Sequence, residues 1–250
     1  MTRHFPEELI LLIHVLKWLI LATGIGLLVG MTSTGFVLLL IFFIDTLGAA
    51  PWTYWLLPLG LGMSAWIITS ALVPEAGGQG MERVIRAIHL QSGKISWQVI
   101  PAKIAATVLT IGTGGSAGNV GPCIKIGSGL ASCIADVFQF NALDRKTLVI
   151  CGLRAGVASI LGIPLARAFF WIEALLVGWL AYQVLFPSVV AALGGYLTAQ
   201  FFGMPAMMFV ASAFPVMNGT LLLLALVGGV VFGRCSLVFV ECLNGVKRLT

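Results

Sequence analysis

The residues best suited to chemistry lie in one stretch, Gly112-Thr-Gly-Gly-Ser-Ala-Gly-Asn-Val-Gly-Pro122. Apolar and small residues, Ala105 to Ile111, lead into it, and Cys123-Ile-Lys-Ile-Gly-Ser-Gly-Leu130 leads out. Five glycines and a terminal proline cannot form the interior of an ordinary membrane helix. They mark a place where one helix stops and another starts with its amide N–H groups exposed. Such a break is tolerated at membrane depth only where it is buried in protein or lines a wet cavity. A helix N-terminus there carries partial positive charge and free donors, which suits an anion.

Other chemistries fit this chain less well. Ser116, in Gly-Ser-Ala-Gly, would serve an intramembrane serine hydrolase only with a histidine at the same depth, and His14 and His89 are poorly placed for it. The Gly-x-Gly sequences lack the strand–helix surroundings of a nucleotide loop. His4, His14 and His89 are isolated, with no metal-ligand spacing, and Cys123, Cys133, Cys151, Cys235 and Cys242 form no CxxC pair. Neither a metal nor a cofactor is expected. A Gly-rich run can also serve close helix packing alone, and that reading stands beside the anion-site reading when the motif is taken by itself.

The elements that must position this loop are membrane helices. Of 250 residues, 59% are hydrophobic and 9% charged, with a mean hydropathy of +1.06; soluble domains carry about a quarter charged residues. An all-α, multi-pass integral membrane protein of a plasma or inner membrane follows. The net charge of +5 comes from basic residues scattered singly or in pairs, which excludes a nucleic-acid groove and fits membrane flanks.

Leu9 to Leu47 reads as one helix, interrupted only by Lys17 and glycines; at 1.5 Å per residue it exceeds a hydrocarbon core of about 30 Å and must tilt. Trp52 to Val73 is a second span with Trp52, Tyr54 and Trp55 as an interfacial anchor. Met81 to Leu90 is too short to span and carries Glu82, Arg83 and Arg86. Ser96–Ile111 runs into the Gly-rich loop, and Pro122 to Phe140 leaves it. Leu143 to Ile160 is another span. Gly162-Ile-Pro164 breaks the chain before Leu165–Leu185, Pro187 starts a further segment to Phe202, and Val216 to Leu243 is last. Long, ordinary and short segments with Gly/Pro breaks are the pattern of a transporter or channel, not of a uniform bundle.

A shift of 203 residues lays Ala22, Gly26, Gly30, Ser33, Phe36 and Val37 onto Ala225, Gly229, Gly233, Ser236, Phe239 and Val240. On this pattern residues 1–202 hold one repeat and 203–250 hold a loop and the first helix of an incomplete second one. Repeats of this kind place the binding site at their interface.

Four stretches together resemble the CLC chloride channel and transporter family. Gly78-Gln-Gly-Met-Glu-Arg-Val-Ile-Arg-Ala-Ile88 resembles its GSGIP-type motif and the short helix that follows. Gly112–Pro122 resembles its GSGGSxGREGP motif. Asp144–Ala158 and Ile163–Glu173 resemble the next two signatures, in the right order. The resemblance covers the family's first half. It implies two inverted repeats per complete subunit, a homodimer with one pore in each subunit, and chloride or a similar small anion as cargo. The anion-binding positions it implies are Gln79, Gly80, Met81, Gly118, Asn119, Val120, Gly121 and Pro122, with Thr113, Gly114 and Ser116 shaping the loop and 165–202 supplying half of the dimer interface.

The departures from the pattern are informative. Val120 takes the place of the family's gating glutamate, Asn119 that of the neighbouring basic residue, and Ala174, beside Glu173, that of the internal proton-transfer glutamate. Valine and alanine carry no proton, so the resemblance implies a passive anion channel or pore subunit and not a chloride/proton exchanger. Gln79 replaces the chloride-ligating serine and keeps a donor. Lys125, Arg154 and Arg167 are charges at membrane depth. The two arginines stand where the family has small residues and fit either an anion path or a degenerate half-protein; Lys125 fits a pore mouth or a snorkelling position as well as an ion ligand. A different class of function is a non-conducting accessory half that needs a partner half, from a second polypeptide or an antiparallel copy. Ending one helix into a second repeat favours an incomplete product over a purposeful half.

Overall fold

The computed structural model describes residues 4–48, 53–67, 77, 80–162, 181–204 and 219–249. The chain divides into two compact units, Met1–Met208 and Phe209–Thr250. All secondary structure among the described residues is helical. In the first unit lie α1 (His4–Gly48), α2 (Thr53–Trp66), α3 (Gly80–Leu90), α4 (Val99–Gly112), α5 (Val120–Val137), α6 (Ala142–Leu161) and α7 (Ala181–Phe201). The second holds α8 (Gly219–Leu249).

Among the described residues, four helices are long and apolar enough to cross a membrane: Leu12–Leu47 in α1, Val120–Val137 in α5, Val184–Phe201 in α7 and Gly219–Cys242 in α8. The 36 residues of the first would extend about 54 Å, which requires the expected tilt. Lys17, a charge inside it, is matched: its Nζ lies 2.8 Å from Asp144 Oδ2 at the start of α6 and stacks over Trp18 and Phe140.

α6 differs from the apolar span its sequence suggests. Every residue from Thr147 to Ile160 is buried, with α1, α5 and α7 packed around it. It carries Asp144, Arg145 and Lys146 in its first turns and Arg154 further on. Arg145 reaches back to Asp136 at the end of α5 across 2.5 Å. α6 is the buried centre of the unit, and its Asp144, Arg145 and Arg154 each meet a side chain of a neighbouring helix.

Small residues set the closeness of this packing, as in other membrane bundles. A Cβ on Gly26 of α1 would come within 2.6 Å of the Ala191 carbonyl oxygen of α7, and one on Gly195 within 2.7 Å of the Ala155 oxygen of α6. Gly127 of α5 and Gly152 of α6 each exclude a Cβ on the other. Trp18, Ala22, Ile25 and Val29 of α1 join Ala131, Leu148 and Ala191 in one core cluster.

Pro187 was expected to start a segment, but α7 begins at Ala181 and carries Pro187 inside it. The neighbouring Ser188 hydroxyl donates to the Leu185 carbonyl at 2.7 Å, and α7 packs against α1 and α6, the setting in which membrane helices hold proline. α6 ends as the sequence indicates: Gly162 takes the left-handed conformation, φ 66°, and its N–H bonds the Ala158 carbonyl.

In α8 the stripe that matches the buried stripe of α1 is exposed. Ser33 and Val37 are buried, whereas Ser236, Phe239 and Val240 lie on the surface. Trp55 of the proposed anchor is exposed on α2; Trp52 and the Tyr54 side chain lie outside the described residues.

Candidate functional site

The Gly-rich loop folds from the end of α4. Thr113 caps that helix, its hydroxyl donating to the Leu109 carbonyl at 2.7 Å. Gly114 then turns the chain with φ 94°, a conformation that favours glycine. Gly115 N–H bonds Thr110 O at 2.9 Å, and an added Cβ would press to 2.5 Å of that same oxygen. Ser116, Ala117 and Gly118 are exposed.

α5 starts at Val120, two residues before the expected proline. Pro122 sits inside the first turn, where a missing N–H costs nothing. Asn119 makes no side-chain cap. First-turn amides without a side-chain cap are available to water or to a ligand.

α3 brings a second helix start to the same place. A Cβ on Gly80, its first residue, would overlap the backbone of Gly121, and the nearest atom to a Cβ on Gly121 would be Gly80 N at 3.9 Å. The two helices therefore meet start to start, backbone against backbone. Glycine at both positions permits the approach. The two positive helix ends add where they converge.

A cavity of about 480 Å³ opens at this junction. Gly80 and Met81 of α3 and Gly121, Pro122 and Ile124 of α5 line it, with Ala117 and Gly118 of the loop. Its remaining wall is α4: Lys103, Ala106, Thr107 and Thr110. The sequence reading missed that wall. Its signal was legible: Lys103, Thr107 and Thr110 fall at i, i+4 and i+7, one helical face, in a segment otherwise almost free of polar groups.

The other sequence candidates separate. Asn119 and Val120 sit beside the cavity, and the half-buried Val120 side chain packs against the cluster of Val84, Ile88 and Ile124. Lys125 lies one turn further along α5; its buried ammonium donates to the Gly77 carbonyl at 2.7 Å, three residues before Gly80. Arg154 is away from the cavity, buried between α6 and α7, where Nη1 donates to the Ser188 hydroxyl. Its Nε and Nη2 have no partner among the described residues. Gln79, Arg167, Glu173 and Ala174 lie outside the described residues. Ser116 is on the exposed loop, while His14 accepts a hydrogen bond from the Trp18 indole within α1.

Two helix starts meeting on one cavity, with a lysine and threonines in the facing wall, can hold a small anion. Residues 61–250 match the family model described as "Voltage gated chloride channel". The chain belongs to this family, whose members are channels and transporters for chloride and related anions.

One curated relative aligns along nearly the whole chain and another along about half of it. The "Chloride/fluoride channel protein" of Pseudomonas syringae pv. tomato is 32% identical over 248 residues, covering 98% of this chain and 54% of the relative. The "H(+)/Cl(-) exchange transporter ClcA" of Cronobacter sakazakii is 32% identical over 128 residues, covering 49% of this chain and 27% of that protein. Among solved structures, a CLC-type fluoride/proton antiporter superposes with a TM-score of 0.81 at 26% identity, covering 93% of this chain and 58% of that one. A slow cyanobacterial Cl−/H+ antiporter gives 0.72 at 20% identity, a likeness of fold, over 88% of this chain and 54% of that one. This voltage-gated-chloride-channel family member spans about half the length of the first of these relatives. It is an integral, multi-pass membrane protein with a CLC-type fold.

Proposed function

We propose that the chain forms one wall of a passive anion pore. The observation that carries this reading is the Gly80–Gly121 approach, which aims two helix starts at one cavity. Amides at the starts of α3 and α5 stabilise a dehydrated chloride, with the Gln79 side chain as a further donor. Lys103 adds positive charge from α4, and Thr107 adds a hydroxyl. Lys125 does not touch the ion; it holds the Gly77 carbonyl and so fixes the approach to Gly80.

Movement is downhill and uncoupled to protons. Val120 stands where a carboxylate would compete with the anion and carry a proton, and Ala174 stands where a second carrier would be. Proton transfer needs a titratable group within hydrogen-bond reach of the path. The facing wall of the pore comes from a second-half segment, in the same polypeptide or another. A homodimer, with 165–202 at its interface, is the assembly that fits.

Fluoride is a second cargo to be set against chloride, because the Pseudomonas relative is named for both halides and a structural neighbour for fluoride. Proteoliposomes holding the protein with its second half test both. Ion-selective electrodes should record saturable halide efflux, reduced several-fold by Lys103→Met and more mildly by Thr107→Val. Efflux indifferent to both substitutions would remove the α4 wall from the pathway.

A further inference from the structure

α3 borders a second cavity further along its length. Gly80 and Met81 line the anion cavity at its start, while Arg83, Val84, Arg86, Ala87 and Gln91 follow along the helix toward its C-terminal end. They bound a cavity of about 290 Å³, lined also by Lys94 and Ile95 of the linker, Val99 of α4 and Lys125 of α5. Four of its lining residues are cationic and none is acidic. The nearby carboxylate of Glu82 meets Arg86 only at 3.5 Å and in the open. Lys125 is 2% exposed, so one of the four charges is held inside the protein.

The walls are fixed. Gly93 N–H bonds the Ala87 carbonyl at 2.8 Å, folding the linker back on the end of α3. Ile95 N–H bonds the Ser132 hydroxyl of α5 at 3.0 Å. Lys94 and Ile95 are thereby tied to both helices that carry the remaining charges.

We infer that this cavity binds a phosphate-bearing anion, either free phosphate or the headgroup of an anionic lipid. The volume exceeds what a single halide fills, and the cations surround it from three elements. Guanidinium groups meet tetrahedral oxyanions through paired donors, and an ammonium group supplies three more. Basic pockets between membrane helices are a recurrent form of headgroup site. Lys125 lines this cavity and also donates to Gly77, so an occupant here bears on the segment that leads into α3. The site rests on the cavity alone and stands or falls separately from anion conduction.

The test uses the purified protein in a neutral detergent. Radiolabelled orthophosphate binding is measured at equilibrium, and retention of phosphatidic acid against phosphatidylcholine is measured through detergent exchange. Arg83→Gln and Lys94→Gln, both at exposed positions, are compared with Arg234→Gln on α8, an equal loss of charge elsewhere. Each of the first two should weaken binding about tenfold, and the third should not. Saturable orthophosphate binding with that pattern identifies a free-phosphate site; selective phosphatidic-acid retention with that pattern identifies a headgroup site. Absence of both, equal effects of all three substitutions, or displacement of phosphate by equimolar chloride would overturn the inference.

Discussion

The ammonium of Lys125 donates to the carbonyl of Gly77 at 2.7 Å, joining α5 to the segment that opens α3. Both groups are buried, so each answers a polar need of the other. Lys125→Met should leave the Gly77 carbonyl unsatisfied and cost about 1–3 kcal/mol of stability. It should also weaken halide binding at the α3 start. Lys125→Arg retains charge and donors and should restore part of the affinity, which a purely space-filling role would not predict. Thermal unfolding and halide titration in detergent check both.

The approach of α3 to α5 is steric. A Cβ on Gly80 would overlap the Gly121 backbone, whereas one on Gly118 would meet nothing within 4 Å. Gly80→Ala should therefore cost about 1–3 kcal/mol and reduce halide affinity. Gly118→Ala should change stability by no more than about 0.5 kcal/mol. Parallel unfolding curves distinguish them.

The α5–α6 interface makes a separate demand. Gly127 and Gly152 each leave no room for a Cβ on the other. Gly152→Ala should destabilise by about 1–3 kcal/mol. Because α6 is the buried centre of the first unit, the loss should appear as earlier global unfolding, measured by helical circular dichroism against temperature.

The glycine-rich loop and the order of the helices were legible in the sequence because they depend on local chemistry. Gly114 needs its positive φ, Gly162 ends α6, and a segment of 11 residues, α3, cannot span a bilayer. The wall opposite the loop was less legible. Lys103 and Thr107 become part of the site only when α4 folds against α3 and α5, a non-local event. Pro187 misled for a related reason. Packed against α1 and α6, α7 continues through it, so the residue does not end the helix. Arg154 could be seen as a buried charge, but its place between α6 and α7 beside Ser188 required the packed structure.

Val120 adjoins Gly121 of the cavity wall while its own side chain packs on apolar neighbours. Val120→Glu should introduce block that depends on pH. An ionised carboxylate competes with the anion for the helix starts, and a protonated one does not. Halide efflux from the variant should thus fall as pH rises through the carboxylate range and recover on acidification. A pH profile equal to that of the parent protein would remove this turn of α5 from the path.

The central claim is that anion movement through this site carries no protons. It is tested most directly in proteoliposomes holding the protein with its second half, under an imposed chloride gradient, with chloride and proton fluxes recorded together. Chloride efflux should proceed with no uphill proton movement at any gradient. A chloride gradient that drives protons uphill at a fixed ratio would contradict the account.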